Sequence, residues 1–170
     1  MSFHFVRELP TPAVVKEMHP VPTELAEIKK ERDRMISDII LGKDDRFLVI
    51  IGPCSADRED AVCEYVSRLA PIQEKVKDRV LIIPRIYTNK PRTTGEGYKG
   101  IVSQPNPEEA PNMLNGLMAM RKMHVRAIQE SGLTAADEML YCENWSFVDD
   151  LLSYVAIGAR SVEDQLHRLT

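Results

Sequence analysis

Arg85, Lys90, Arg92 and Lys99 place four cations in a short stretch whose one anion is Glu96, and Thr93 and Thr94 add two hydroxyls. Arginine supplies paired donors to a phosphate or carboxylate and lysine a point charge, so this set suits a small phosphorylated anion. Glycines in the same stretch allow close backbone approach to a ligand. A solvated basic loop would have a similar composition. Arg85 argues against that reading, because it follows the apolar run Val80-Leu81-Ile82-Ile83-Pro84, a poor place for a merely solvated charge. Cys54 and Ser55 follow a second apolar run and offer a thiol and a hydroxyl where a strand gives way to a loop. The thiol is either a reactive or ligating group or a small buried hydrophobe. Glu138 and Arg160 also fall at the ends of expected strands. Each is a site residue or an ordinary surface charge.

Such side chains need strands to present them. Residues 47–51 are all apolar, three of them β-branched, and predict a buried parallel strand that Gly52-Pro53 ends. Residues 80–86 predict a second strand, 133–140 a weak third and 155–157 a fourth. A helix over about 23–41 is expected to be capped by Thr23 and closed by Gly42, with Leu25, Ile28, Met35, Ile36, Ile39 and Ile40 inward. Asp57 is expected to cap a helix from about 58, which Pro71 ends or kinks. Asn112 caps a helix to about 130 with Met113, Leu114, Leu117, Met118, Val125 and Ile128 inward. A short helix is expected near 146–153 and a last one capped by Ser161. Residues 1–22 read as a proline-punctuated arm whose segment 3–6 could add an edge strand. Between the second strand and the third helix lies a long loop of the kind that is often functional. Alternating strands and helices predict an α/β fold with a parallel sheet and right-handed crossovers. In such sheets chemistry gathers at the C-terminal ends of the strands.

Composition fits that class, with 44% hydrophobic and 28% charged residues. No apolar run approaches the roughly 20 residues of a membrane span. Cys54, Cys63 and Cys142 are odd in number and share no metal-type spacing, which points to reduced thiols and a cytoplasmic location. A net charge of −4 argues against a nucleic-acid partner and makes the basic loop a local feature suited to a small anion.

Three groups of residues together resemble one family. They are Ile51-Gly52-Pro53-Cys54-Ser55; Pro84-Arg85-Ile86-Tyr87 with Lys90-Pro91-Arg92-Thr93-Thr94; and Ala156-Ile157-Gly158-Ala159-Arg160-Ser161 with Gln165 and His167-Arg168. The family is the 3-deoxy-D-arabino-heptulosonate 7-phosphate (DAHP) synthases of the class I type regulated by aromatic amino acids. The resemblance runs from about residue 10 to the last residue. Family members are roughly twice this long, and a (β/α)8 TIM barrel takes about 250 residues. The resemblance therefore implies the N-terminal half of such a barrel, about four βα units. Residues 1–45 would be an N-terminal arm and helix serving regulation or oligomerisation, and 46–170 the partial barrel.

The resemblance also implies roles. Arg85, Lys90 and Arg160 match residues that hold phosphoenolpyruvate, with Glu138 beside them, and Arg85 and Lys90 are the expected catalytic pair. Arg92 and Thr93 match the erythrose 4-phosphate segment. Cys54 matches one ligand of a divalent metal (Mn, Fe, Co or Zn), whose remaining His, Glu and Asp ligands would lie beyond residue 170. Tight metal binding by this chain is then not expected. The implied reaction condenses the two substrates in the first step of the shikimate pathway, toward aromatic amino acids. Expected partners are those substrates, a second copy of the chain or a complementing C-terminal half, and neither nucleic acid nor a membrane. A different class of reading is a non-catalytic half-barrel acting as an assembly or regulatory module. Residues 141–145 differ from the Pro-Gln pair some relatives use in feedback control, which leaves open which aromatic amino acid acts here.

Overall fold

The computed structural model describes residues 7–90, 92, 94, 96–158 and 161–169. In chain order the elements are α1 (Pro12–Met18), α2 (Thr23–Ile40), β1 (Phe47–Ile51), α3 (Glu59–Val76), β2 (Val80–Pro84), α4 (Met113–Ser131), β3 (Ala135–Glu138), a 3-10 helix over Cys142–Phe147, β4 (Leu152–Ala156) and α5 (Gln165–Leu169). β1 pairs with β2 in parallel, Phe47 opposite Val80 and Ile51 opposite Pro84. β3 pairs with β4 in parallel, Ala135 opposite Leu152 and Glu138 opposite Ala156, with an irregularity between Ala135 and Ala136. A parallel bridge between Arg85 and Ala136 joins the two pairs. The four strands therefore lie side by side in sequence order, and their C-terminal ends share one edge. The segment 3–6, expected as an edge strand, lies outside the described residues.

The helices that cover the sheet follow local chemistry, with some departures from expectation. The N-terminal arm contains a helix that its prolines hid. Thr11 caps α1 by accepting from the Val14 N–H at 3.5 Å, and Pro12 supplies a helical φ where no N–H is needed. In α2 the cap is Pro22 and not Thr23, which is already helical. α3 starts after Arg58, with no side-chain cap from Asp57, and runs through Pro71 to Val76. Pro71 is exposed, so its ring faces water while the chain beyond it is anchored. The anchor is Gln73, whose Nε2 donates to the Val80 carbonyl at 2.9 Å and whose Oε1 accepts from the Ile82 N–H at 2.6 Å. α4 begins as expected, with Asn112 Oδ1 accepting from the Asn115 N–H at 3.2 Å. Its deepest large apolar residues are Leu117, Met120, Met123 and Ile128, whereas Met113 is exposed.

Near 146–153 a 3-10 helix and turns replace the expected helix, and β4 starts earlier, at Leu152. Arg121 of α4 organises this turn. It donates to the Phe147 carbonyl at 3.0 Å and to both oxygens of Asp150, at 2.7 and 2.8 Å. α5 is capped by Asp164, which accepts from the Leu166 N–H at 2.8 Å, and Ser161 lies in the preceding turn.

Two apolar clusters flank the sheet. One joins Val62, Val66 and Leu69 of α3 with Ile82 and with Leu117, Met120 and Ile128 of α4. The other joins Leu81, Ile83 and Ala136 with Ile36 of α2, supported by Met35 and Ile39. Alternation along β2 sends Leu81 and Ile83 to one face and Ile82 to the other, as a parallel strand covered on both sides requires. α2 also sends Arg32 across the sheet, where it donates to the Ile82 carbonyl at 2.5 Å and the Thr134 hydroxyl at 3.1 Å. Burial pushes its guanidinium down to about 10. β1 is less buried than its apolar run predicts. Phe47 is 75% exposed and Ile51 43%, because β1 is an outer strand with one neighbour among the described residues.

Gln73 makes a quantitative test of the α3 anchor. Replacing it with Leu leaves a buried N–H and carbonyl without this partner, and should lower unfolding free energy by about 2 kcal/mol. Urea denaturation reads the change. A loss under about 0.5 kcal/mol, typical of a surface position, would show that α3 does not depend on the anchor.

Candidate anion-binding site

The shared C-terminal edge of the strands gathers most of the expected site residues. The β1 end reaches Cys54 through Gly52-Pro53. Gly52 is required here because a Cβ would lie 2.3 Å from the Arg85 carbonyl oxygen. This close approach brings Arg85 to the turn, where its Nη2 donates to the Cys54 carbonyl at 3.3 Å. The guanidinium carbon sits 3.9 Å from the centre of the Tyr87 ring, a cation–π contact that orients it.

Lys90 reaches the same turn from the other side. Its Nζ lies 2.6 Å from Cys54 Sγ, and Cys54 is exposed. The ammonium holds the thiol below its ordinary range, first through this hydrogen bond and then through its charge, with Arg85 and Arg92 adding to the effect. An exposed thiol beside a cation is shifted toward ionisation rather than packed as a hydrophobe. Cys63, by contrast, is buried in the core, where desolvation pushes its thiol up to about 11.

The loop after Lys90 folds back on it. The Lys90 N–H donates to the Lys99 carbonyl at 2.9 Å, and Arg92 Nε to the Tyr98 carbonyl at 2.8 Å. Tyr98 is tied down in turn by a 3.3 Å bond to the Ala56 carbonyl, and burial pushes its hydroxyl up to about 12. Lys90, Arg92 and Lys99 thus line one small cavity of about 150 Å³ together with Asn89, Ser103, Leu140 and Tyr141. Three cations around one cavity make it attractive to a phosphate. A larger open hollow of about 750 Å³ lies beside the start of α3, but Asp57, Glu59, Asp60, Glu64 and Glu108 line it and would repel an anion.

Glu138 ends β3 at the same edge. Its Oε1 lies 2.6 Å from where a Cβ on Gly158, two residues past β4, would stand, so the carboxylate packs directly over that glycine. Arg160 and Thr93 lie outside the described residues. Among the described residues, no three His, Cys, Asp or Glu side chains converge as a metal site would need. Cys54 is a single soft donor already engaged by Lys90, and the described residues alone do not fit a divalent metal.

Beneath these residues lies a buried polar layer that sequence reading missed. Asp137 accepts from the Thr88 N–H at 2.9 Å, and His124 Nε2 is 3.7 Å from its Oδ2. Asn89 is 98% buried, given its 2% exposure, with both side-chain polar atoms unpartnered. The available signal was Asp137 directly after Ala135-Ala136 in an expected strand, a carboxyl that a buried strand tolerates only with partners.

Comparison with known proteins places this geometry. The model of the DAHP synthetase I family matches residues 20–170. A phospho-2-dehydro-3-deoxyheptonate aldolase of Haemophilus influenzae is 40% identical over 157 residues, covering 92% of this chain and 43% of that protein. The Phe-sensitive enzyme of that name from Escherichia coli is 39% identical over 163 residues, covering 96% of this chain and 46% of its own length. The solved structure of phospho-2-dehydro-3-deoxyheptonate aldolase from Francisella tularensis superposes with a TM-score of 0.91 at 32% identity, over 98% of this chain and 48% of that one. The chain spans less than half the length of the relatives it matches.

The Lys90–Cys54 contact has a direct readout. Lys90→Met removes the nearest ammonium and with it the main cause of the lowered thiol pKa. The midpoint of the pH profile for Cys54 alkylation should move to higher pH, toward the ordinary value of 9.0. An unchanged midpoint would mean that the two side chains do not meet in solution.

Proposed function

The chain belongs to the DAHP synthetase I family, and from that premise we propose that it carries the phosphoenolpyruvate side, and part of the erythrose 4-phosphate side, of a 3-deoxy-7-phosphoheptulonate synthase. The observation that carries this reading is the convergence of cations at one strand edge. Arg85 and Lys90 meet at the Cys54 turn, and Lys90, Arg92 and Lys99 line one cavity.

In the proposed reaction, the enol double bond of phosphoenolpyruvate supplies the electron pair for a new carbon–carbon bond to the aldehyde carbon of erythrose 4-phosphate. Water adds to the positive carbon left behind, and inorganic phosphate departs. Arg85, Lys90 and Arg160 would neutralise the phosphate and carboxylate of phosphoenolpyruvate, with Glu138 beside them. Arg92 and Thr93 would hold the second phosphate. Fixed cations that need not reorganise, and a fixed angle of approach, are the large terms such a site can supply. Cys54 would furnish one donor to a divalent metal, completed by groups that are not among the described residues.

The sheet of four parallel strands in sequence order supports reading residues 46–170 as about four βα units of a (β/α)8 barrel. Residues 1–45 would then be a regulatory or oligomerisation extension. The exposed outer edge of β1, with Phe47 and Ile51, favours pairing with a second copy or with a complementing C-terminal half. No helix of the described residues is long and apolar enough to cross a membrane, and we place the reaction in the cytoplasm, in aromatic amino acid biosynthesis.

Titration calorimetry with phosphoenolpyruvate tests the anion site. Arg85→Ala should weaken binding about tenfold or more, as loss of a charge-assisted bond does. Lys99→Ala, at the loop rim, should cost less than about threefold. Equal losses would overturn the assignment. A second measurement concerns turnover. The 170-residue chain should not condense the two substrates alone, and a polypeptide matching the remaining half of a full-length relative should restore product formation. Robust turnover by the chain alone would overturn the reading that the metal donors are shared with residues outside it.

A further inference from the structure

Asp137 is a carboxylate inside the sheet that the reaction above does not use. Its side chain and that of Thr88 are both fully buried. Asp137 Oδ1 accepts from the backbone N–H groups of Thr88 at 2.9 Å and Glu138 at 2.7 Å. Its Oδ2 accepts from the Thr88 hydroxyl. His124, equally buried, approaches from α4 with Nε2 at 3.7 Å. A carboxylate is expensive to bury, and here most of its compensation comes from a single residue. Two donors of Thr88, one on the backbone and one on the side chain, each take a different oxygen of one carboxylate. That grip fixes both the position of Thr88 and its rotation.

Thr88 stands between the two proposed anion-binding side chains, three residues after Arg85 and two before Lys90. On its other side the Thr88 carbonyl accepts from the Val102 N–H at 3.2 Å, so the segment is pinned between β3 and the basic loop. Glu138, the expected carboxylate of the site, donates the third bond from its own backbone N–H to Asp137 Oδ1. One buried side chain therefore holds the backbone both in the loop after β2 and at the end of β3.

We propose that Asp137, through Thr88, is a positioning residue for Lys90, and that affinity for the anion depends on this bond pair, which touches no ligand. The proposal rests on the reading of Lys90 as an anion-binding residue. A double-mutant cycle separates the two. Thr88→Val keeps the side-chain shape and removes the hydroxyl. The affinity of the 170-residue chain for phosphoenolpyruvate, followed by NMR titration, should fall about fivefold, within the range of couplings between neighbouring groups. In a Lys90→Met background the same substitution should cause no further loss. Thr88→Ser, which restores the hydroxyl, should recover most of the affinity.

A purely structural role would lower the thermal midpoint yet leave affinity intact, or would lower affinity equally in both backgrounds. Either result overturns the proposal while the anion site stands. If Lys90→Met alone leaves affinity unchanged, the reading of the site fails and the proposal falls with it. Should Thr88→Val not fold, Asp137→Asn keeps the shape of the carboxylate and removes one acceptor. The same loss, and the same silence in the Lys90→Met background, are then expected.

Discussion

Two successive backbone amides join the two halves of the sheet. The Arg85 N–H donates to the Ile51 carbonyl at 2.8 Å, and the Ile86 N–H donates to the Ala136 carbonyl at 2.9 Å. The second strand pairs with its predecessor over Val80–Pro84, and at Arg85 it also bridges Ala136 of its successor. Adjacent N–H groups in an extended chain point to opposite sides, so one handover of this kind suffices to set four strands in order. Pro84, which has no N–H, sits one position before it, where no donor is needed for either bond. The glycine opposite, Gly52, makes room for the Arg85 carbonyl.

The same handover decides where the charges go. Because it occurs at the C-terminal end of β2, the side chain of Arg85 emerges at the strand edge, partly exposed, rather than in the apolar layer that holds Leu81, Ile82 and Ile83. Its charge stays near water and is oriented by the Tyr87 ring and the Cys54 carbonyl. Lys90 then converges on the same turn from the loop. The carboxyl buried below, on Asp137, is held by the Thr88 and Glu138 amides and the Thr88 hydroxyl rather than by these cations. Arg85 and Lys90 are thus left without carboxylate partners among the ion pairs of the described residues. Lys90 is engaged by the Cys54 thiol instead, and Arg85 by neutral partners, the Tyr87 ring and the Cys54 carbonyl.

Much of this was legible in local chemistry. The apolar runs gave β1 with its exact bounds and β2 to within two residues, and Asn112 marked the start of α4. Arg85 stood out because a charge at the end of an apolar strand needs a reason, and Lys90 and Arg92 because they cluster with it in a loop that holds one anion. Other parts were not legible. Pro71 reads as a breaker, but its outcome depended on whether the chain beyond it had an anchor, and Gln73 supplied one from seven residues before Val80. The Thr11-Pro12 start of α1 was present in the sequence but lay among prolines that read as an arm. The Asp137–Thr88 pair spans 49 residues, and no periodicity reports a contact at that distance.

The second face of the sheet shows a further dependence on distant chain. A parallel sheet must be covered on both sides, and α3 and α4 can cover only one. The other would have left Leu81, Ile83 and Ala136 in water, yet all three are buried, because Met35, Ile36 and Ile39 of α2 pack against them. Arg32 secures the same helix by bonding the Ile82 carbonyl and Thr134. Covering a face does not satisfy an edge, however. Among the described residues no strand pairs with the outer side of β1, and Phe47 and Ile51 flank it in the open. Apolar faces and strand edges are separate demands, met by different kinds of contact: side-chain packing for the first, a backbone ladder for the second. The described chain meets the first with its own helix and leaves the second open at β1.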